Sequence, residues 1–217
     1  MNPILIIGKS GVGKSTSMRN LPTEGTMVIN VLNKPLPFRN RLKTVHCDDY
    51  NLLCAAIVKG GYERYIIDDF GYLMTDQFMK ALGSKKGQDM FAMYADIGLS
   101  MWNFMRRIQN APTQARVYMM MHEETDDFGN IKPRTLGKLV DQKVCLEGMA
   151  TICLRATINA DGRHVFLTQS NGLDVTKSPI GMFDTNEIDN DLSIVDQIIT
   201  EYYNIGGANN ETDTKLG

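Results

Sequence analysis

The stretch Ile4-Leu5-Ile6-Ile7-Gly8-Lys9-Ser10-Gly11-Val12-Gly13-Lys14-Ser15-Thr16 limits what this chain can fold into more than any other. An apolar run enters a glycine-rich turn and then Lys-Ser-Thr, fitting G-x-x-x-x-G-K-[ST] from Gly8 to Ser15. Gly8, Gly11 and Gly13 allow backbone turns that a Cβ would obstruct, so that the amides of Gly8, Lys9, Ser10, Gly11, Val12, Gly13, Lys14, Ser15 and Thr16 can converge on a polyphosphate. A helix starting at Lys14 would add its positive N-terminal dipole beneath the same phosphates. Lys14 supplies a mobile charge, and the Ser15 hydroxyl can ligate Mg²⁺.

A chain of 217 residues with 43% hydrophobic content suits one α/β domain, here residues 1–205, followed by a polar tail from Gly206 to Gly217 that reads as disordered. The net charge of −2 excludes a whole-molecule polycation, so nucleic-acid binding would need a local basic surface. Cys47, Cys54, Cys145 and Cys153 form no C-x-x-C pair and read as reduced thiols of a cytoplasmic protein. Met1-Asn2-Pro3 leads straight into the first strand, which leaves no room for a signal peptide, and no apolar run reaches the ~20 residues of a membrane span.

Along the chain, Lys14 to Leu21 predicts a short helix and Thr26 to Val31 a second strand. Asn33 to Arg39, with two prolines, is an exposed connector to a short strand near Thr44 to Cys47; its lysines and arginines read as a solvated loop. Asp48 to Lys59 is a capped helix stopped by Gly60-Gly61. Arg64 to Phe70 is an apolar strand ending in Asp68-Asp69, and Asp68 is the expected Mg²⁺ partner of Ser15. Tyr72 to Asn110 is helical with a break around residues 83–87, and its second half carries Phe91, Tyr94, Ala95, Gly98, Trp102, Met105 and Ile108 as a core stripe.

Arg116 to Glu124 is a buried strand whose polar end brings His122 and Glu123 to the rim of the phosphate loop; His122 reads equally as a structural histidine or as the polar sensor of the terminal phosphate that P-loop ATPases place there. Thr125 to Lys143 reads as a mobile loop followed by a short helix. Met149 to Asn159 and His164 to Gln169 form a hairpin, Ser170 to Asp184 is irregular, and Leu192 to Tyr203 is an amphipathic helix with Ile194, Val195, Ile198, Ile199 and Tyr202 inward.

Gly8 to Thr16, Ile66 to Asp69, His122-Glu123, Pro133 to Lys138 and Thr176 to Pro179 together resemble the phage-encoded P-loop ATPases with a RecA-like core that are associated with single-strand-annealing recombination. The resemblance implies an α/β fold with a mostly parallel central sheet flanked by helices and a C-terminal hairpin and helix. It further implies ATP and Mg²⁺, assembly into a homo-oligomeric ring or filament, and binding of single-stranded DNA, with a single-strand-binding or replication protein as a further partner. Mapped onto this sequence, the DNA loops would carry Lys80, Lys85 and Lys86 and then Lys132, Arg134 and Lys138. Lys177 would reach a neighbouring subunit's γ-phosphate.

One departure matters. RecA-type enzymes usually place a glutamate soon after the second strand, where this chain has Asn30 and Asn33, so the water-orienting acid would be Asp69 or Glu123 and intrinsic hydrolysis slow. Two rivals use the same loop: a small-molecule or nucleotide kinase, and a nucleotide-switched adaptor such as a helicase loader with little turnover.

Overall fold

The computed structural model describes residues 3–39, 41–84, 90–137 and 140–206. Its strands are β1 Ile4–Gly8, β2 Thr26–Asn30, β3 Lys43–His46, β4 Arg64–Asp68, β5 Arg116–Thr125, β6 Ile131–Pro133, β7 Ile152–Ile158, β8 His164–Leu167 and β9 Glu187–Asp189. They are joined by α1 Tyr50–Lys59, α2 Tyr72–Ser84, α3 Met90–Gln109, α4 Leu146–Met149 and α5 Leu192–Tyr202.

The sheet order is β3-β2-β4-β5-β1-β7-β8-β9, parallel from β3 to β7, with β8, β9 and the β5 partner β6 antiparallel. Strand β5 is thus inserted between β1, which feeds the glycine turn, and the acid-terminated β4. Parallel strands must be covered on both faces, which is why they read as continuous apolar runs rather than alternating ones. Leu5, Ile7, Ile67, Met119 and Met121 face the layer of α1, α2 and α3, while Ile4, Ile6, Ile66, Tyr118 and Met120 face α5 and the turn after the phosphate loop.

Several expectations are corrected. The helix expected over Lys14 to Leu21 is a six-residue 3-10 helix, Ser15–Asn20, so the dipole beneath the phosphate loop is that of a short, tight turn. The loop expected between Thr125 and Lys143 contains β6, which folds back on β5, and ends in a π-helical turn at Val140–Val144. Beyond the segment Ser170 to Asp184, which carries no strand or helix, β9 lies in a stretch to which the sequence assigned no element. Of the expected core stripe, Gly98, Met105 and Ile108 are buried but Phe91 and Trp102 are exposed; Met93, Ile97, Met101 and Phe104 complete the core face of α3. On α5 the inward residues are Leu192, Val195, Asp196 and Ile199, with Ile194 and Tyr202 exposed.

No helix among the described residues is long and apolar enough to cross a membrane. The four cysteines are free thiols, Cys54 and Cys153 buried. Residues 207–217, most of the tail predicted as disordered, lie outside the described residues, as do Lys85, Lys86 and Lys138.

Candidate functional site

The carboxyl ends of β1, β4 and β5 meet at one rim, and the phosphate loop closes over it. Gly8 ends β1 pressed against β7: a Cβ there would lie 2.6 Å from the Ala156 carbonyl oxygen. Gly13 has φ +100°, and a Cβ would meet the Asn190 side chain at 2.9 Å, so both positions exclude a side chain for packing reasons as well as conformational ones. The Lys14 ammonium folds back on the loop, donating to the Gly8 and Lys9 carbonyls at 2.7 Å each. Burial there pushes its pKa down to about 8, against the upward pull of Asp69, Asp68 and Glu123.

The Ser15 hydroxyl donates to Asp68 Oδ1 at 2.9 Å. Asp68 is buried, and its pKa is raised by desolvation and by the adjacent Asp69 charge, against the Ser15 bond and the two lysines nearby. A hydroxyl and a buried carboxylate at the mouth of a phosphate loop are hard oxygen donors of the kind Mg²⁺ takes, so the residues fit that ion.

Asp69 follows the end of β4 with φ +60°, a left-handed conformation that aspartate tolerates better than most residues. This turn brings its carboxylate into the cleft, where Oδ1 lies 3.9 Å from His122 Nε2 and Oδ2 forms an ion pair with the Lys34 ammonium. The approach of Lys34 is not aligned for a hydrogen bond, and the buried Oδ2 has no hydrogen-bond partner. The resulting cavity of ≈ 330 Å³ is walled by Lys14, Ser15, Lys34, Asp68, Asp69 and His122, among others. Desolvation and then the Lys14 charge lower the His122 pKa, so the imidazole is neutral near pH 7.

His122 and Glu123 do not share this cleft. Successive side chains on a strand point to opposite faces. His122 follows Tyr118 and Met120, whereas Glu123 follows Met119 and Met121 to the other face. There Arg155 donates to both Glu123 oxygens, at 2.8 and 3.0 Å, and its guanidinium also lies 3.8 Å from Asp174. Both Glu123 oxygens are thus engaged by a charge-assisted pair, which of the two expected water-orienting acids leaves Asp69 as the one that lines the cleft. Period-two alternation was available in the sequence and would have separated these two neighbours.

The remaining candidates lie further out. Lys177 pairs its backbone with Cys153, and its charge is felt by Cys145 and Cys153 rather than by the phosphate loop. Lys80 is ion-paired with Asp48, and Lys132 with Asp141 and Glu124, so these two expected DNA-contacting cations carry local counter-charges. Arg134 is different: its backbone N–H donates to the His122 carbonyl, and it lines a small recess with Tyr72, Thr75 and His122.

Residues that sequence reasoning passed over complete the surroundings. On the far side of the loop a second cavity of ≈ 460 Å³ joins Gly11, Gly13 and Thr16 to Arg163, His164 and Asn190. His164 Nδ1 lies 2.9 Å from the Val12 carbonyl, which can only accept, so that nitrogen carries the proton. The Asn190 amide nitrogen is buried without a partner. Arg19 donates to the Asn190 carbonyl and Asn20 to Asp191, stitching the 3-10 turn to the start of α5.

Comparison with known proteins places these features in context. The family described as AAA domain, AAA_24, matches residues 2–180. No curated protein matches. Among solved structures 61 chains are similar. One comes from a work titled "Structural and biochemical analysis of a prototypical ATPase from the type III secretion system of pathogenic bacteria", with 14% identity, a TM-score of 0.46, and coverage of 74% of this chain and 51% of that one. This chain therefore spans about half the length of that solved chain.

Proposed function

The chain belongs to the AAA domain family of P-loop ATPase-type domains, and from that premise we propose that it binds a nucleoside triphosphate with Mg²⁺ and hydrolyses it, using the energy or the binding state to act on single-stranded DNA. The observation that carries the first part is the Ser15 hydroxyl on Asp68 in the same cleft as Lys14 and Asp69. Ser15 and Asp68 would hold the metal ion, which when bound neutralises phosphate charge. The loop amides and Lys14 would hold the β and γ phosphates. Asp69 would orient the attacking water and take up its proton as the new P–O bond forms and the bridging bond to the departing diphosphate breaks. The second cavity is the place for the nucleoside, because it continues directly from Thr16 and offers the unpartnered Asn190 amide.

Asp69→Asn tests the assignment without disturbing the backbone, since asparagine also tolerates a left-handed φ. Nucleotide affinity should stay within a few-fold while kcat falls on the order of 10²-fold, the usual scale for a lost proton-transfer group. Unchanged kcat in a steady-state phosphate-release assay would move the base elsewhere.

For DNA, support comes from Arg134, which connects the β5–β6 hairpin to His122 at the rim of the cleft, so that a strand bound there could bias the phosphate side. Assembly into a ring or filament, with Lys177 reaching a neighbouring subunit's γ-phosphate, rests on the sequence resemblance. A role in phage recombination or replication rests on the sequence resemblance. Phosphate release with and without single-stranded DNA is the experiment, with a several-fold rise expected. Product from an added acceptor would mark a kinase. Binding without turnover would support a nucleotide-switched adaptor, a reading favoured by one observation: Asp69 is already engaged by Lys34.

A further inference from the structure

We propose that Lys34 is a second phosphate cation, supplied within the same subunit by the connector after β2, and that it recognises the terminal phosphate and so distinguishes tri- from diphosphate. The inference rests on the nucleotide-binding reading and names a residue that neither the phosphate-loop motif nor the family match assigns.

Three observations meet at this residue. Lys34 sits in the wall of the cleft with Lys14, Ser15, Asp68, Asp69 and His122. Its ammonium is turned inward to Asp69, although the side chain is 53% exposed and therefore free to swing. Its backbone is fixed from below by Asn30, whose side-chain amide donates to the Lys34 carbonyl at 2.5 Å and whose side-chain oxygen accepts from the Lys34 N–H at 3.2 Å. Asn33, with φ +53°, supplies the reversal between them, and Pro35 and Pro37 stiffen the chain beyond Lys34. The position at the end of β2 that lacks an acid is therefore rebuilt as a staple that presents a cation.

The electrostatics give that cation a choice of partner. In the cleft Asp68 and Asp69 lie side by side while Lys14 donates to loop carbonyls, and Lys34 forms the ion pair with Asp69. Its pKa is raised: burial lowers it, but the ion pair with Asp69 and the charge of Asp68 outweigh that. A terminal phosphate entering between Lys14 and Asp69 carries more charge than one carboxylate and repels Asp69, so it competes for the same ammonium. Transfer of Lys34 to the phosphate also frees the Asp69 carboxylate. A diphosphate, which ends deeper in the loop, leaves Lys34 on Asp69.

The test compares binding of Mg²⁺ with a β,γ-imido ATP analogue and with ADP, by calorimetry, for the unaltered protein, Lys34→Ala and Lys34→Arg. Removing one charge-assisted contact should cost about ten- to a hundredfold in analogue affinity. ADP affinity should stay within about twofold, and Lys34→Arg should recover much of the loss. Equal losses for both nucleotides, or an unchanged preference for the analogue, would overturn the proposal. So would an unchanged preference accompanied by faster phosphate release, which would make Lys34 only a clamp on Asp69. If the unaltered protein binds neither nucleotide, the nucleotide reading itself fails, an outcome separable from the failure of Lys34 alone.

Discussion

Lys14→Ala is expected to abolish measurable nucleotide turnover while leaving the fold intact. In the proposed reaction the ammonium is the charge that would hold the β and γ phosphates, and removing a preorganised electrostatic contact of this kind costs on the order of 10²–10³-fold in rate. Loss of ground-state binding adds to that, so kcat/KM should fall further than kcat. Stability should not fall, because the folded state gains little from this side chain. Lys14 is 8% exposed, its amine is satisfied by two carbonyls of its own loop, and its lowered pKa records the cost of burying the charge. A thermal midpoint at or above that of the unaltered protein, with turnover lost, is the predicted pair of results. Normal turnover would remove the role assigned to the motif.

Asp196→Ala is expected to produce the largest loss of stability of any single change considered. Asp196 is buried on α5 and takes Arg64 Nε at 2.5 Å, Arg116 Nε at 2.5 Å and Nη2 at 3.1 Å, and the Tyr118 hydroxyl at 2.7 Å. It joins the terminal helix to the amino ends of β4 and β5, the two strands whose other ends carry Asp68 and His122. Among the described residues, alanine would leave Arg116, nearly inaccessible, with Glu63 at 3.7 Å as its remaining ion-pair partner. Breaking a buried ion pair from one side costs about 3–5 kcal/mol. For a domain of this size that corresponds to roughly 6–20 °C in the thermal midpoint. Urea denaturation followed by circular dichroism measures it. A change below about 1 kcal/mol would show that Glu63 and water replace the carboxylate.

The two predictions also mark where sequence reading succeeded and where it stopped. Lys14, Ser15 and Asp68 were legible because their pattern is local. A glycine turn after a strand and an acid at the end of an apolar run are each fixed within about ten residues, and only their meeting at 2.9 Å needed the fold. The parallel sheet was legible for the same reason, since strands buried on both faces must be apolar throughout. Asp196 was not legible: periodicity assigned the inner face of α5 to Ile194, Val195, Ile198, Ile199 and Tyr202, because nothing local announces arginines 132 and 80 residues away. The short strands β6 and β9 were missed because their pairing comes from neighbours across the sheet rather than from their own composition.

What the amino-acid sequence determined alone is the chemistry at one end of one strand: glycine turns fitting the phosphate-loop motif, a lysine, a hydroxyl and a distant acid. Tertiary structure decided which charges share that cleft. The turn at Asp69 brings its carboxylate in, the alternation of β5 sends Glu123 out to Arg155, and a reversal held by Asn30 delivers Lys34 from a loop that reads as solvent-exposed. The physical reason is range: backbone sterics and periodicity act over a few residues, whereas the partner of a charge is set by the path of the whole chain.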